Sequence, residues 1–144
     1  MTAVEIAMAH PSDLDGINRI RRQIRTPDLY DGLIEKNEKQ VTFVAKNDAQ
    51  TLGYLSLHSR ASLQDPGDAE FEVFVLPGAQ GNGIGTSLMT AAEEFVLAKT
   101  RICRLTLHVM KTNPRARQLY ERIGFHTLSQ EPPLGEIMGK DVKR

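Results

Sequence analysis

The feature that most limits how this chain can fold is a glycine-rich segment, residues 80–86 (QGNGIGT), which lies between a predicted strand and a predicted helix. Residues 69–76 (AEFEVFVL) are typical of a strand, and Pro77-Gly78 ends it. The helix carries an apolar stripe at helical spacing: Ile84, Leu88, Ala91, Ala92 and Phe95. A helix N-terminus presents unpaired backbone N–H groups and the positive end of the helix dipole, so this junction suits an anion.

The glycines of this segment distinguish between several kinds of phosphate loop. Gly81, Gly83 and Gly85 have no Cβ atom, so a diphosphate can approach the backbone closely, although a plain tight turn also explains three glycines. The dinucleotide fingerprint Gly-x-Gly-x-x-Gly does not fit, because the third glycine comes one residue early and Thr86 takes its place. A P-loop does not fit either, because the segment has no lysine. The spacing therefore disfavours a dinucleotide-binding oxidoreductase.

The remainder of the chain alternates predicted strands and helices. In chain order we expect a strand (4–9), two helices (about 12–26 and 28–39), three strands (41–46, 52–58 and 69–76), a helix, a strand (103–110), a helix (113–124) and two strands (125–129 and 136–142). Interleaved strands and helices predict a layered α/β or α+β fold. The predicted hairpin over 41–58 indicates that much of the sheet is antiparallel.

The composition narrows the classes of partner and site. The chain has 144 residues, enough for one domain, and 18 basic residues balance 18 acidic ones. Without a basic excess we expect neither nucleic acid nor a membrane as a partner. Cys103 is the only cysteine and the four histidines lack metal-ligand spacing, so we expect no disulfide and no metal site. We find no signal-peptide pattern and no apolar run of roughly 18 residues, which leads us to expect a cytoplasmic protein.

Two motifs match one known family. Gln80, Gly83 and Gly85 fit the pattern Gln-x-x-Gly-x-Gly, and residues 113–125 (NPRARQLYERIGF) hold Asn, then Ala, Tyr and Gly-Phe at fixed spacings. With these motifs the sequence resembles the GCN5-related N-acetyltransferase (GNAT) family. The resemblance implies a mixed α/β (α+β) fold with a central, mostly antiparallel twisted sheet of about seven strands and helices on both faces. It also implies a single N-acetyltransferase domain over residues 1–144.

The resemblance further implies a site for acetyl-CoA as the acetyl donor, without a metal. The strand before the glycine-rich segment would separate from its neighbour, and the pantetheine arm would pair with backbone groups near Phe74 and Val75. Asn113 either only caps its helix or also contacts the coenzyme. The Gln80 side chain either reaches the diphosphate or is solvated. Backbone N–H groups would hold the diphosphate at these residues: Gln80, Gly81, Asn82, Gly83, Ile84, Gly85 and Thr86.

Two side chains are candidates for acid–base catalysis. Tyr120 is spaced to lie on or beside the buried face of its helix, as an ordinary core tyrosine would, and the resemblance implies that its hydroxyl protonates the departing thiolate. Glu70 and Glu72 share one face of their strand, where burial would suit a carboxylate to accept a proton. Glu70 takes the position of the base in some family members, and Glu72 is the weaker candidate. A solvated strand face explains both glutamates equally well.

These features lead us to expect an N-acetyltransferase in which an amine, on a small molecule or a peptide, attacks the thioester of acetyl-CoA directly in a ternary complex. The alternative is a domain that binds acetyl-CoA without catalysis, as a sensor or an interaction module. No signature of the acceptor is present in the sequence. Whether the protein forms a homodimer, as members of this family often do, also stays open.

Overall fold

A computed structural model describes residues 3–24, 37–131 and 135–144. The strands are β1 (Glu5–Met8), β2 (Gln40–Lys46), β3 (Thr51–His58), β4 (Asp68–Val75), β5 (Arg104–Met110), β6 (His126–Glu131) and β7 (Gly135–Asp141). The α-helices are α1 (Leu14–Gln23), α2 (Ile84–Lys99) and α3 (Pro114–Arg122). The predicted order of elements is confirmed, except that the predicted helix over 28–39 lies almost wholly outside the described residues. No helix within the described ranges is long and apolar enough to cross a membrane.

The seven strands form one sheet in the order β1-β2-β3-β4-β5-β7-β6. Every neighbouring pair is antiparallel except β4 and β5, which run parallel and are connected through α2. β2 and β3 form the predicted hairpin, and Asn47 stabilises its turn by accepting hydrogen bonds from the N–H groups of Ala49 and Gln50, both at 2.9 Å. The predicted mostly antiparallel sheet is therefore confirmed.

Helix α1 covers one face of this sheet. Its Ile17 and Ile20 are buried against Val44 and Tyr54, as the apolar spacing of the helix predicts. Arg21 also lies on this face, four residues after Ile17, and it is buried. The apolar spacing of Leu14, Ile17, Ile20 and Ile24 predicts that Arg21 lies off the buried stripe. This is wrong, because the buried face is wide enough to include Arg21 and polar partners receive its guanidinium.

Helices α2 and α3 cover the opposite face, so the prediction of helices on both faces is confirmed. From α2, Leu88 and Val96 are fully buried in the larger core, and burying a side chain of that size stabilises the fold by about 1.5–3 kcal/mol. From α3, Tyr120 and Ile123 pack at the border of the same core. The two cores thus hold the sheet from both sides.

Strands β4 and β5 are paired over only three positions. The partners are Asp68 with Arg104, Ala69 with Leu105 and Glu70 with Thr106. Beyond Glu70 the two strands separate, as the resemblance implies. We call the opening between residues 71–75 of β4 and 107–110 of β5 the fork.

Candidate functional site

The glycine-rich turn has a backbone that only glycine adopts easily. Gly81 has φ 84° and Gly83 has φ 77°, where a residue with a Cβ atom would be strained. A Cβ atom added at either position would meet no other atom within 4 Å, so the surface above them is open. Helix α2 begins at the next residue, Ile84, whose buried side chain fixes the helix start to the core. The glycines therefore shape the turn and also leave it accessible.

The amides of this turn are unpaired, as predicted for an anion site. The first N–H group to donate within α2 is that of Ser87, to Gly83 O at 3.0 Å. The six N–H groups of residues 81–86 have no acceptor among the described residues. Gln80 differs from the prediction, because its N–H donates to Pro77 O at 3.4 Å, which closes the turn that precedes it. The unpaired N–H groups of the turn therefore begin at Gly81.

Two polar side chains of the turn are engaged within the turn itself. The Gln80 amide donates from Nε2 to Val75 O at 3.1 Å, and the Asn82 amide donates from Nδ2 to Ala79 O at 3.2 Å. Both side chains are exposed, so neither bond is protected from water. The Gln80 bond ties the turn back to the end of β4. A contact between Gln80 and a diphosphate stays a prediction.

The end of β4 is paired with a neighbouring strand on one side only. Tyr54 and Gly53 of β3 lie opposite Phe74 and Val75 in the antiparallel ladder. On the other side these two residues line the fork, where β5 is no longer paired with β4. An extended chain with amide groups can add to such an open strand edge. Because the Leu76 N–H donates to Leu52 O in this register, the backbone groups of Phe74 face β3 and those of Val75 face the fork, so Val75 is the one of the two that can pair there.

Tyr120 lies next to the point where the fork opens. Its ring centroid is 6.4 Å from that of Phe71 and 6.0 Å from that of Phe125. Phe71 is the first β4 residue beyond the last pair with β5. Burial raises the pKa of Tyr120, because the charged phenolate is the form that loses solvation. The Tyr120 hydroxyl forms no hydrogen bond with the described residues. Every buried side-chain oxygen among those residues has a hydrogen-bond partner, so the Tyr120 oxygen is not buried and reaches the surface.

Helix α3, which carries Tyr120, is held by a cap at its N-terminus and by Arg117 near its middle. Asn113 caps it, with Oδ1 accepting a hydrogen bond from the N–H of Ala116 at 3.2 Å, so the predicted cap is confirmed. The Arg117 guanidinium binds the buried Glu136 of β7 and donates to Thr127 of β6. The hydrogen bond from Thr127 to Glu136, at 2.8 Å, and the Arg117 charge lower the pKa of the Glu136 carboxyl group. These bonds tie α3 to the closing hairpin.

Glu70 lies at the closed end of the fork, opposite Thr106. Its side chain is 56% exposed, so Glu70 is solvated and lacks the burial expected to favour a base; its role in the reaction stays a prediction. The Nε2 atom of His58, on β3, lies 3.9 Å from Glu70 Oε2. Glu70 is thus an accessible carboxylate at the place where a thioester in the fork would end.

Glu72 is committed to a cluster that the sequence does not reveal. Its Oε1 accepts hydrogen bonds from Arg21 Nη1 at 2.6 Å and from the Tyr54 hydroxyl at 3.2 Å. Arg21 Nη1 also donates to that hydroxyl at 2.9 Å, and burial together with the Glu72 charge raises the pKa of Tyr54. Glu72 therefore stabilises the contact of α1 with the sheet, which leaves Glu70 as the carboxylate of the two without an arginine partner. The one available signal is that Arg21 follows Ile17 by four residues.

The histidines and the cysteine do not converge on one site. His10, His58, His108, His126 and Cys103 are all exposed. The lack of any other cysteine leads us to expect that Cys103 packs as a small apolar residue, and this is wrong, since Cys103 is exposed and its Sγ donates to Arg101 O at 3.7 Å. Within the part of the chain that the structure describes, no three His, Cys, Asp or Glu side chains are placed to hold a metal ion.

Comparison of the sequence with known proteins gives a consistent result. A family model for the acetyltransferase (GNAT) family matches residues 12–125. The 5-NmdU N-acetyltransferase of Pseudomonas phage PaMx11 is 34% identical over 93 residues, which are 65% of this chain and 61% of that protein. The chain spans 22% to 61% of the length of the curated relatives it matches.

Solved structures share the fold. A GCN5-related N-acetyltransferase from Kribbella flavida superposes with a TM-score of 0.80 at 19% identity, over 96% of this chain and 98% of that one. NAA60 of Arabidopsis thaliana in complex with acetyl-CoA superposes with a TM-score of 0.76 at 14% identity, over 97% and 99%. At identities this low the superpositions show a shared fold only, whereas the family model shows a match in the amino-acid sequence. The family model matches residues 12–125, and the structure has both the fork and the glycine turn. The chain therefore belongs to the acetyltransferase (GNAT) family.

Proposed function

We propose that this chain is an acetyl-CoA-dependent N-acetyltransferase that moves the acetyl group to an amine on a small molecule or a peptide. One observation carries the proposal: three features follow each other in order along β4 and just after its end. Glu70 marks the closed end of the fork, the open edge of residues 71–75 follows, and the unpaired N–H groups of residues 81–86 come just past its end. A donor with a thioester at one end and a diphosphate further along fits that order.

The backbone supplies most of the donor site in this proposal. The N–H groups of residues 81–86 bind the diphosphate, aided by the positive end of the α2 dipole. The fork edge of β4 near Phe74, at Val75, pairs with the amides of the pantetheine arm in place of the Gln80 side chain. Asn113 contacts the coenzyme in addition to capping α3. Because these groups are held by the sheet and two helices, the thioester meets the acceptor in a fixed position.

Glu70 and Tyr120 divide the proton transfers between them. Glu70 accepts a proton from the acceptor ammonium, directly or through water, because only the neutral amine can attack. The amine nitrogen then forms a bond to the thioester carbon and the carbon–sulfur bond breaks. Tyr120 donates its hydroxyl proton to the departing thiolate, and the second amine proton returns to the phenolate through solvent. Backbone N–H groups of β4 stabilise the developing negative charge on the carbonyl oxygen.

The two residues lie on opposite faces of the sheet, which suits these roles. Glu70 shares the α1 face with Glu72, whereas Tyr120 packs on Phe71, whose side chain points to the opposite face. The acceptor therefore approaches from the α1 side, and the thiolate departs beside α3. Burial of Tyr120 keeps its phenol protonated at neutral pH, as an acid requires.

The test combines binding and turnover. Titration calorimetry with acetyl-CoA should show one saturable site, and mixing with a panel of small amines, polyamines and short peptides should release coenzyme thiol. Initial rates that give intersecting double-reciprocal lines support direct attack in a ternary complex, and parallel lines contradict it. Failure to bind acetyl-CoA contradicts the whole proposal. Binding without thiol release from any amine of the panel favours the sensor or interaction module instead.

A further inference from the structure

His58 and Glu70 face each other across the ladder between β3 and β4. They are direct partners in the antiparallel register, and His58 Nε2 lies 3.9 Å from Glu70 Oε2. Their side chains are 52% and 56% exposed, so water and an acceptor reach both. Residues directly opposite on antiparallel strands have Cβ atoms about 4.5–5.5 Å apart, so the backbone itself sets this proximity.

The carboxylates next to Glu70 on β4 have other partners. On both sides of Glu70 along β4 the carboxylates bind arginines: Asp68 binds Arg104 of β5 at 2.7 Å, and Glu72 binds Arg21 of α1 at 2.6 Å. The residues opposite the pair on β2 and β5 are the uncharged Gln40 and Thr106. Among the described residues, His58 is the basic side chain whose nitrogen lies within 4.0 Å of the Glu70 carboxylate, at 3.9 Å.

Two cations would compete for one carboxylate at this position. In the proposed reaction Glu70 meets an acceptor ammonium and takes its proton. Imidazole is the side chain that ordinarily changes charge between about pH 5 and pH 8. A neutral His58 leaves both oxygens of Glu70 open to the ammonium, whereas a protonated His58 forms an ion pair with Glu70 and repels the ammonium.

We propose that His58 is a positioning residue whose protonation withdraws Glu70 from the acceptor, so that use of the amine weakens as the pH falls from 8 to 5.5. The inference rests on the proposed function, since it needs Glu70 as the group that meets the ammonium. The step involves one proton, which His58 Nε2 takes from solvent. An exposed ion pair has a modest effect, so we expect about a two- to fivefold change in kcat/KM for the acceptor.

The kinetic test uses two substitutions of opposite charge. His58→Gln imitates the neutral imidazole, and His58→Lys carries a permanent cation. For each variant, kcat/KM for the acceptor is divided by the wild-type value at steps between pH 5.5 and 8.5, which cancels the deprotonation of the acceptor itself. The His58→Gln ratio should rise about two- to fivefold towards low pH. The His58→Lys ratio should fall by a similar factor towards high pH.

Two controls separate this effect from a structural one. His126→Gln removes another exposed histidine, on β6, and its ratio should be independent of pH. The KM for acetyl-CoA should stay at the wild-type value in all three variants, because the donor is held at the turn and the fork. A His58→Gln ratio that is independent of pH, whether at one or below one, overturns the inference.

A second measurement needs no turnover. The ring protons of His58 are titrated by NMR in the wild-type chain and in Glu70→Gln. We expect the His58 ring resonances to respond to pH differently in the two proteins, because Glu70→Gln removes the carboxylate that lies 3.9 Å from His58 Nε2. An identical response means that the two side chains do not interact, and overturns the inference. Absence of thiol release from the wild-type chain at pH 8 contradicts the proposed function instead, and the NMR titration still decides whether the pair exists.

Discussion

At the scale of single residues, Tyr120 combines a structural contact with an available hydroxyl. Its ring packs on Phe71 and Phe125, and burial raises its pKa. We expect Tyr120→Phe to bind acetyl-CoA with wild-type affinity but to lower kcat about 10²-fold, because the thiolate loses its proton donor. Steady-state kinetics at saturating donor measures this. The raised pKa sets the sign of the pH dependence: the acid stays active until the pH exceeds its ordinary value of 10.0.

The matched control is Tyr54, which is fully buried. Tyr54→Phe removes the hydroxyl that bonds to Arg21 and Glu72, so we expect it to lower the free energy of unfolding by about 1 kcal/mol and to leave kcat near the wild-type value. Wild-type turnover in Tyr120→Phe would remove Tyr120 from the mechanism. A similar loss of kcat in both variants would point to a general structural effect.

Gly83 tests the donor site at the same scale. Gly83→Ala forces a Cβ atom onto a residue with φ 77°, which costs roughly 1–2 kcal/mol unless the turn changes shape. We expect the Kd for acetyl-CoA to rise about tenfold as the turn relaxes and its N–H groups move, a loss of about 1.4 kcal/mol in binding. Calorimetry measures it. Gly78→Ala is the control, because its φ is not positive and an added Cβ atom meets nothing within 4 Å. Equal Kd values for both variants would exclude the role given to the turn.

Which residues the sequence predicts correctly depends on how far away their partners are. The glycine turn and the Asn113 cap depend on neighbours within a few residues, and both are confirmed. The burial of Arg21 is missed because its partners Tyr54 and Glu72 lie 33 and 51 residues away. The spacing of residues within one helix or strand does not reveal contacts between residues so far apart in the sequence. The catalytic and coenzyme-binding roles themselves stay predictions.

At the scale of elements, the contact of α3 with the β6–β7 hairpin depends on Glu136. The pKa of this carboxyl group lies below its ordinary value of 4.5, so it stabilises the fold above that pH and the contribution is lost as the pH falls through the lower folded value. We expect Glu136→Gln to lower the free energy of unfolding at pH 7 by about 1–2 kcal/mol. The expectation is modest because Arg117 is 41% exposed and solvent replaces part of the lost interaction.

Denaturant unfolding at a series of pH values measures this difference. The gap between wild type and Glu136→Gln should be widest at pH 7 and should close as the solution is acidified below pH 4.5. Glu94→Gln, an exposed substitution on α2, is the control and should follow the wild-type curve. A gap of constant size down to pH 3 would show that the charge of Glu136 is not what stabilises α3.

The elements themselves are largely predictable from the sequence, but their pairing is not. Spacing of apolar residues and turn residues indicates each strand and helix of the described ranges within a few positions. The fork is different, because it depends on where two strands separated by α2 stop pairing. Only the resemblance to the family implies it. Local patterns describe the two strands equally well whether they are paired over three positions or over seven.

At the scale of the whole molecule, we propose that residues 1–144 act as one domain, with both cores built on one sheet. A ligand that binds the folded chain alone raises its stability by mass action. Acetyl-CoA at 100 times its Kd should therefore raise the free energy of unfolding by about 2.7 kcal/mol. Thermal unfolding with increasing acetyl-CoA measures this effect. Gly83→Ala should need a higher concentration for the same rise, and a midpoint unaffected by acetyl-CoA would contradict the donor site.

The fork has a consequence for how this protein behaves before it meets its donor. Two strand edges in the middle of the sheet, rather than at its rim, are left without partners beyond Glu70. Unpaired edges recruit other extended chains, and proteins normally shield them with charge, bulges or covering segments. In the proposed site the bound donor covers these edges. We expect self-association and loss of solubility to begin at this seam when the donor is scarce. We expect the N–H groups of residues 71–75 that face the fork, rather than those bonded to β3, to exchange slowly only when the donor is bound.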